Sequence, residues 1–313
     1  MNSATTGLRP GDFVEVKTPD EILRTLDAEG AIDHLPFMPE MVEFCGRRSQ
    51  VSRRVVTTCC YSGRAGSPRS FHTDDVVTLD GLRCSGSAHD GCQKGCMIFW
   101  RERWLRKVDS PSAPQTKVDS AARERLRARL KVTSRPQIYF CQASEVLKST
   151  YFLASRNQKF GSYVREIRAG NFTAPQMVKI VCIWALWRLR MLLLGLYSRG
   201  RKGVLPDVTL GLKPGEFVEI KPMPQIRETL NEYGRNRGLF FSPDMRLFCG
   251  TRRRVVGRLD KIIVDGTGEM KQLQNTVHLD DSTCGCAYLG LGRGGCSRNE
   301  YVYWREIWLN RSN

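Results

Sequence analysis

The chain contains two copies of one sequence module, and this duplication constrains its fold more than any other feature. The run LRPGDFVEVK at 8–17 recurs as LKPGEFVEIK at 212–221, and the same offset of 204 continues without a gap well into each copy. The copies also end alike, with FWRERWL at 99–105 and YWREIWL at 303–309. A repeat of this kind is one folding unit used twice. We therefore expect homologous modules at residues 7–108 and 211–312, with a different region at 109–210.

Short strands dominate the predicted structure of each module. Pro10-Gly11 is typical of a turn, and Phe13–Lys17 alternates like a half-buried strand. A short helix is predicted over Asp20–Ala28, with Thr18 or Asp20 as its N-cap. Further strands are predicted at Gln50–Thr58, Asp75–Leu79, Arg254–Val264 and Asn275–Leu279. We expect an α+β protein whose two mainly-β modules are small SH3-like barrels, joined by a basic helical region.

The central region carries most of the positive charge of the chain. Helices are predicted at 120–131, 142–149, 162–169 and 175–197, after a Ser- and Pro-rich linker at 109–116. Between Arg101 and Leu210 there are 22 Lys and Arg against 7 Asp and Glu, so this segment holds +15 of the net charge of +17. A field of this sign attracts polyanions, namely nucleic acid, anionic lipid or acidic polysaccharide. The alternative is a solvated basic linker with charged helix faces.

The longest predicted helix is nearly long enough to span a membrane, but it contains charged residues that a membrane span would exclude. Arg188 and Arg190 lie near the helix centre, where each costs about 2.5–3.5 kcal/mol on insertion. We therefore expect no transmembrane segment. Two alternatives stay open, peripheral membrane contact through residues 178–202 and docking of the helix between the modules. The N-terminus has no secretory h-region, which predicts a cytoplasmic location.

The twelve cysteines point to metal sites, because a reducing compartment favours metal binding or buried thiols over disulfides. Cys84, Cys92 and Cys96 form a cluster, and Cys45 lies upstream after a predicted turn. Four thiolates satisfy a tetrahedral structural Zn²⁺ ion. An iron–sulfur cluster also takes four cysteines, and burial as small hydrophobic side chains is a third interpretation.

The second copy predicts a second metal site with a different fourth ligand. It retains Cys249, Cys284 and Cys296, and Glu300 stands at the place of Cys96. Cys286 is an additional thiol that could complete this site instead of Glu300. A carboxylate ligates zinc more readily than it joins an iron–sulfur cluster, which prefers soft thiolates. The sequence therefore favours zinc in both modules.

Several other residues allow both a functional and a structural interpretation. His89 lies in the loop between Cys84 and Cys96, as a ligand or as a hydrogen-bonding residue. The paired tryptophans of the closing motif could stack on bases or sugars, but their spacing favours core packing. Arg101-Glu102 and its counterpart Arg305-Glu306 are interpreted as an ion pair or a buried hydrogen-bonding pair. Cys141 and Cys182 are assigned to the core, and no catalytic residue is identified.

Three motifs resemble an uncharacterised bacterial family of cysteine-rich, tandem-module hypothetical proteins. They are PEM-x3-CG at 39–46, LDGLRCSGSAHDGC-x3-C-x2-FW at 79–100 and YVREIRAGN at 163–171. The resemblance covers nearly the whole chain and implies a bacterial source and a shared fold. It implies no activity, since none is assigned to that family.

These observations lead to three hypotheses for function. The first is a metal-stabilised binding or scaffold protein whose basic central region engages an anionic or protein partner. The second is a metal-dependent enzyme or maturation factor in a bacterial biosynthetic pathway, with the metal at an open site. The third is a nucleic-acid-binding protein. Salt-sensitive retention on a polyanion would favour the first and third, and a water-accessible, three-ligand metal would favour the second.

Overall fold

Each module is built around one curled, five-stranded antiparallel sheet. The computed structural model describes residues 7–60, 67–110, 115–195, 198–200, 205–284 and 297–312. The chain divides into two compact units, Met1–Met177 with Ile263–Lys271, and Val178–Ile262 with Gln272–Asn313. The segment between the modules is thus shared, because residues up to Met177 belong to the first unit.

The first module and the central segment contain these elements. In chain order they are β1 (Phe13–Val16), α1 (Pro19–Leu23), β2 (Ala31–Ile32), β3 (Leu35–Pro36), β4 (Arg48–Arg54), β5 (Thr58–Cys60), β6 (Ser67–Phe71), β7 (Val76–Arg83), β8 (Met97–Arg101), β9 (Leu105–Val108), α2 (Ser120–Arg129), β10 (Thr133–Arg135), β11 (Ile138–Tyr139), α3 (Val146–Ser149), β12 (Thr150–Phe152), α4 (Arg156–Arg168) and α5 (Ala174–Leu194). Two 3₁₀ helices, Pro39–Phe44 and Glu102–Trp104, lie before β4 and before β9.

The second module repeats this order. Its elements are β13 (Phe217–Ile220), α6 (Met223–Glu228), β14 (Arg235–Asn236), β15 (Leu239–Phe240), β16 (Arg252–Arg258), β17 (Lys261–Ile263), β18 (Met270–Gln272), β19 (Thr276–Thr283), β20 (Tyr301–Arg305) and β21 (Leu309–Arg311). Its 3₁₀ helices, Pro243–Phe248 and Glu306–Trp308, occupy the equivalent places.

The two large sheets have the same topology. The strand order is β8-β7-β4-β1-β9 in the first and β20-β19-β16-β13-β21 in the second. In the first sheet β1 pairs with β4 on one side and with β9 on the other. Phe13 of β1 faces Gln50 of β4, and Val14 of β1 faces Lys107 of β9. Each sheet curls into a half-barrel. The predicted pair of homologous, mainly-β modules is confirmed at this level.

The recurring tryptophans lie in the module cores. The ring of Trp104 packs edge-on against Phe37 at a centroid distance of 5.2 Å, and Trp308 packs in the same way against Phe241 at 5.3 Å. The indole of Trp104 donates a hydrogen bond to Thr25 Oγ1. All four tryptophans of the closing motifs are fully buried. The core interpretation of these rings is therefore confirmed, and base stacking is not available to them.

Helix boundaries follow the caps. Helix α1 begins after Thr18, whose hydroxyl accepts from the backbone of Glu21 while the Glu21 carboxylate accepts from the backbone of Thr18. Helix α4 begins at Arg156, earlier than predicted, because Ser155 and Gln158 form a second capping box. Among the described residues no helix is both long enough and apolar enough to cross a membrane.

The central segment packs on the first module rather than forming a free linker. Strand β12 pairs with β6, so Thr150 faces Phe71. Glu166 of α4 is buried and accepts hydrogen bonds from Arg53 and Thr57 of the module. These contacts bring residues 141–146 next to the loop between β7 and β8.

Candidate functional site

Four cysteines line one small, partly open cavity in the first unit. Cys84, Cys92 and Cys96 come from the loop between β7 and β8, and Cys141 follows β11. The cavity has a volume of about 30 Å³, which is room for one water molecule or one metal ion. Three of the four predicted ligands of the first module are thus brought together, and the fourth thiol comes from the central segment.

The backbone of this loop folds back on itself around Gly86. Gly86 has φ +67°, and a Cβ at this position would lie 2.0 Å from the carbonyl oxygen of Cys92. The Gly86 carbonyl accepts hydrogen bonds from the backbone N–H groups of His89 and Gly91, and Cys84 donates to the carbonyl of Cys96. A side chain at position 86 would push the loop open. The three loop thiols are therefore held near one another by the backbone.

His89 connects the cysteine loop to the central segment. Its Nδ1 lies 2.7 Å from Glu40 Oε1 and its Nε2 lies 3.1 Å from the carbonyl oxygen of Phe140. Burial lowers the pKa of His89, but the hydrogen bond and charge of Glu40 outweigh it, and the pKa is raised overall. Burial likewise raises the pKa of Glu40, and the bond from His89 lowers it overall. Both ring nitrogens thus face oxygen atoms, the arrangement that suits an imidazolium beside a carboxylate.

This arrangement decides between the interpretations of His89. A histidine that ligates a metal offers a lone pair on one ring nitrogen, and here each nitrogen faces an acceptor. The hydrogen bonds of His89 thus hold Phe140, and with it the neighbouring Cys141, next to the loop that carries Cys84, Cys92 and Cys96.

A buried ion pair lies beside the thiols. Lys94 lines the cavity, and its Nζ lies 2.5 Å from Asp265 Oδ1, with both side chains nearly inaccessible. The backbone N–H of Ile263 donates to Cys92 Sγ at 3.3 Å. The segment 263–271 thus supplies one carboxylate and one N–H donor to the edge of the cavity within the first unit.

Cys45 occupies a different place from the other predicted ligands. It is 1% exposed in the module core, its carbonyl accepts from Arg123, and burial raises its pKa to about 12. The residues that line the cavity include Cys141 and not Cys45. The repeated Cys-Gly motif has a structural explanation, because Gly46 and Gly250 have φ +77° and +75°, a conformation that favours glycine. At Gly46 alone, a Cβ would also lie 2.6 Å from the Thr116 carbonyl oxygen.

The thiols of the cavity are not arranged as a metal centre as they stand. Throughout the described ranges, no three His, Cys, Asp or Glu side chains are grouped closely enough to hold a metal ion. Burial raises the pKa of Cys84 strongly, and it raises that of Cys141 to about 11. Neutral thiols at physiological pH are the consequence.

The second module differs at the equivalent place. Cys284 donates its backbone N–H to the carbonyl of Glu300, as Cys84 does to Cys96. The Glu300 carboxylate, however, lies 3.0 Å from the guanidinium of Arg298, and both side chains are buried. Cys249 is partly buried, and burial raises its pKa to about 11. Cys286 and Cys296 lie outside the described residues.

A second candidate surface is the outer face of α5. Five residues at helical spacing form one stripe on this face, Val178, Cys182, Leu186, Leu189 and Leu193. The leucines and Val178 are between 53% and 72% exposed, and Cys182 is also exposed. On the opposite side of the helix, Trp187 and Met191 pack against the core of the second module. The stripe thus faces away from the protein core.

Several basic residues in α2 and just after it are already paired with acidic residues of the first module. Arg125 lies 3.2 Å from Asp20, and Arg127 and Lys131 pair with Glu43 and Glu29. Residues 156–206 are different, because they contain ten Lys and Arg and one acidic residue, Glu166. This segment therefore has a concentrated excess of positive charge in sequence, and Arg165 of α4 lies 3.5 Å from Asp74.

Comparison with known proteins adds no further assignment. No family model, no curated protein and no solved structure matches the chain.

Proposed function

We propose that this protein is a metal-stabilised, tandem-module binding protein that attaches to anionic membrane surfaces through α5. The observation that carries the proposal is the outward stripe of exposed apolar side chains on α5, on a helix without any acidic residue. An apolar patch of this extent on a protein surface is typical of an interaction site.

The geometry of α5 favours a helix that lies on a membrane. The stripe residues are spaced by four, four, three and four positions, so they follow one face of the helix over its whole length. Lys179 flanks the stripe on one side and Arg188 lies further round the helix on the other, whereas the Arg190 guanidinium lies over the Trp187 ring at 5.6 Å. An interfacial helix has this arrangement, with apolar side chains in the acyl boundary and cations at the headgroups.

Charge complementarity selects an anionic lipid surface as the partner. The segment 156–206 has a net charge of +9, and Glu166 is buried against Arg53 and Thr57. Each Lys or Arg near an anionic leaflet contributes about 1 kcal/mol, and each buried leucine side chain contributes about 1.5–3 kcal/mol. Helix α5 itself carries three of these cations, Lys179, Arg188 and Arg190, together with the apolar stripe. A purely electrostatic partner such as nucleic acid would not require the apolar side chains.

In this proposal the second module holds α5 in place through the packing of Trp187 and Met191. The order of five short strands, with a 3₁₀ turn before a last strand that pairs with the first, supports SH3-like barrels. The predicted metal, zinc, would add stability to this small-domain architecture.

Charge introduced into the stripe is expected to abolish vesicle binding. We expect the Leu186→Glu/Leu189→Glu protein to bind vesicles of phosphatidylcholine and phosphatidylglycerol at least tenfold more weakly, because two carboxylates replace two inserting side chains. Glutamate is a good helix former, so α5 should stay intact. Co-sedimentation of protein with vesicles measures the effect.

The matched control is Tyr233→Glu/Val256→Glu, which adds the same two charges at positions outside α5 that are 66% and 43% exposed. This variant should bind like the unchanged protein, and neutral vesicles should bind both proteins weakly. Unchanged vesicle binding by the double variant, or retention on duplex DNA that exceeds vesicle binding, would count against the proposal and favour nucleic acid.

A further inference from the structure

We infer that Cys141, together with Cys84, Cys92 and Cys96, forms a four-thiolate zinc site that joins the central segment to the first module. This inference rests on the metal-stabilised part of the proposed function and deepens it by naming the ligands. The observation behind it is that these four cysteines, and not Cys45, line a single cavity of ionic size.

The donor set fits zinc by number and by chemistry. Four cysteine thiolates are a complete tetrahedral shell for a structural Zn²⁺ ion, and soft sulfur donors select zinc over hard cations. The four thiols are not grouped as a metal centre in this structure, so zinc binding would require the cysteine side chains to turn towards the cavity. Four Zn–S bonds form, and the four thiol protons pass to solvent.

The surroundings of the cavity compensate the charge of such a centre. Four thiolates around Zn²⁺ carry a net charge of −2, and the Lys94 ammonium lines the same cavity. The Ile263 N–H already donates to Cys92 Sγ, and hydrogen bonds of this kind stabilise a ligating thiolate. Lys94 is itself paired with Asp265, so the hydrogen bond from Ile263 is the contact that most directly favours a thiolate at Cys92.

The scaffold of the site is formed without the ion. The backbone turn at Gly86 holds the three loop cysteines, and His89 holds Phe140, the neighbour of Cys141, by its bond to the carbonyl. Zinc would therefore stabilise the contact between two segments that are far apart in sequence. That contact also positions β12 and α4, which lead into α5.

Zinc counting on single-cysteine variants tests the ligand assignment. Full-length protein is loaded with Zn²⁺ under reducing, anaerobic conditions, passed over a chelating resin, and analysed for zinc per chain. We expect Cys141→Ser to retain one ion fewer than the unchanged protein and Cys45→Ser to retain the same number. Loss with Cys45→Ser but not with Cys141→Ser, or visible absorption of an iron–sulfur cluster, overturns the inference.

A second measurement needs no variant and covers the case in which Cys141→Ser does not fold. Alkylation of the unchanged protein, followed by peptide mass spectrometry, should show Cys84, Cys92, Cys96 and Cys141 protected with Zn²⁺ and reactive after chelation. Cys182 is exposed and should react in both states. Equal reactivity of Cys141 with and without Zn²⁺, or a disulfide among the four, contradicts the site. Neither experiment contains lipid, so their failure is distinct from failure of vesicle binding.

Discussion

Replacement of Glu102 by alanine is expected to lower the free energy of unfolding of the first module by about 3–5 kcal/mol, because it removes one partner of a buried charged network. The Glu102 carboxylate accepts hydrogen bonds from the backbone N–H groups of Gly7 and Leu8 and from the guanidinium of Arg54. Without it, the Leu8 N–H, which is buried, loses its acceptor. Denaturant unfolding, followed through the buried tryptophans, measures the change.

The second module contains the equivalent residue, Glu306, which allows the same substitution to be compared. Glu306 accepts from the backbone N–H groups of Leu210, Gly211 and Leu212 and from Arg258. Glu306→Ala should therefore destabilise the second module by a similar amount, and Glu102→Gln should cost less than Glu102→Ala because one acceptor oxygen remains. A cost below about 1 kcal/mol for both alanine variants, in the range of an ordinary exposed pair, would contradict this role.

The same contacts settle the interpretation of the repeated Arg-Glu motif. Arg101 donates to Asp75 and to the carbonyl of Ile32, and Glu102 accepts from the start of the module. Both residues are buried and hydrogen-bonded, but these bonds run to other segments of the module rather than from Arg101 to Glu102.

Removal of His89 is expected to have an effect of comparable size with a distinctive pH dependence. His89→Ala leaves Glu40 as a buried, uncompensated carboxylate and should lower the free energy of unfolding by about 3–5 kcal/mol. The loss should be largest between pH 4.5 and 6.5, the ordinary pKa values of the two groups.

The two limits of this window follow from the directions of the pKa shifts. The pKa of His89 is raised by folding, so its contribution is complete below pH 6.5 and is lost as pH rises through the folded-state value. The pKa of Glu40 is lowered, so its contribution is present above pH 4.5 and is lost as pH falls through the folded-state value. Unfolding curves of both proteins across this range measure the difference.

A double variant measures the interaction between Glu40 and His89 separately from their other contacts. Glu40→Gln/His89→Gln removes both charges, and it should be more stable than the sum of the two single losses predicts, since no buried charge is left alone. A stability difference between the unchanged protein and His89→Ala that is independent of pH would show that the ring acts by packing only.

The fold of each module could be predicted because its signals are local. Pro10-Gly11 and the alternation after it define a turn and β1, and Thr18 with Glu21 defines the start of α1. The start of α4 was missed, although Ser155 and Gln158 carry a capping-box pattern that identifies it. The repeat predicts that the two sheets share one strand order, but it does not predict which order, because strand pairing joins residues that are far apart in sequence.

The composition of the cysteine cavity could be predicted only for the loop cysteines. Cys84, Cys92 and Cys96 are near one another in sequence, whereas Cys141 is brought to them by the bond of His89 to Phe140 and by the pairing of β12 with β6. Cys45 was grouped with them because it recurs in both modules. No pattern of the sequence distinguishes a recurring core cysteine from a recurring ligand, and Glu40, in the PEM motif, was not singled out as the partner of His89.

The central claim is that the outer face of α5 enters the headgroup region of an anionic membrane. Cys182 lies on that face and is exposed, so it can carry an environment-sensitive fluorophore, with labelled Cys182→Ser protein as the background. With phosphatidylglycerol-containing vesicles the account predicts a blue shift of the emission and protection from an aqueous quencher, and neither change with neutral vesicles. Unchanged emission and full quenching on protein that co-sediments with the anionic vesicles would contradict it.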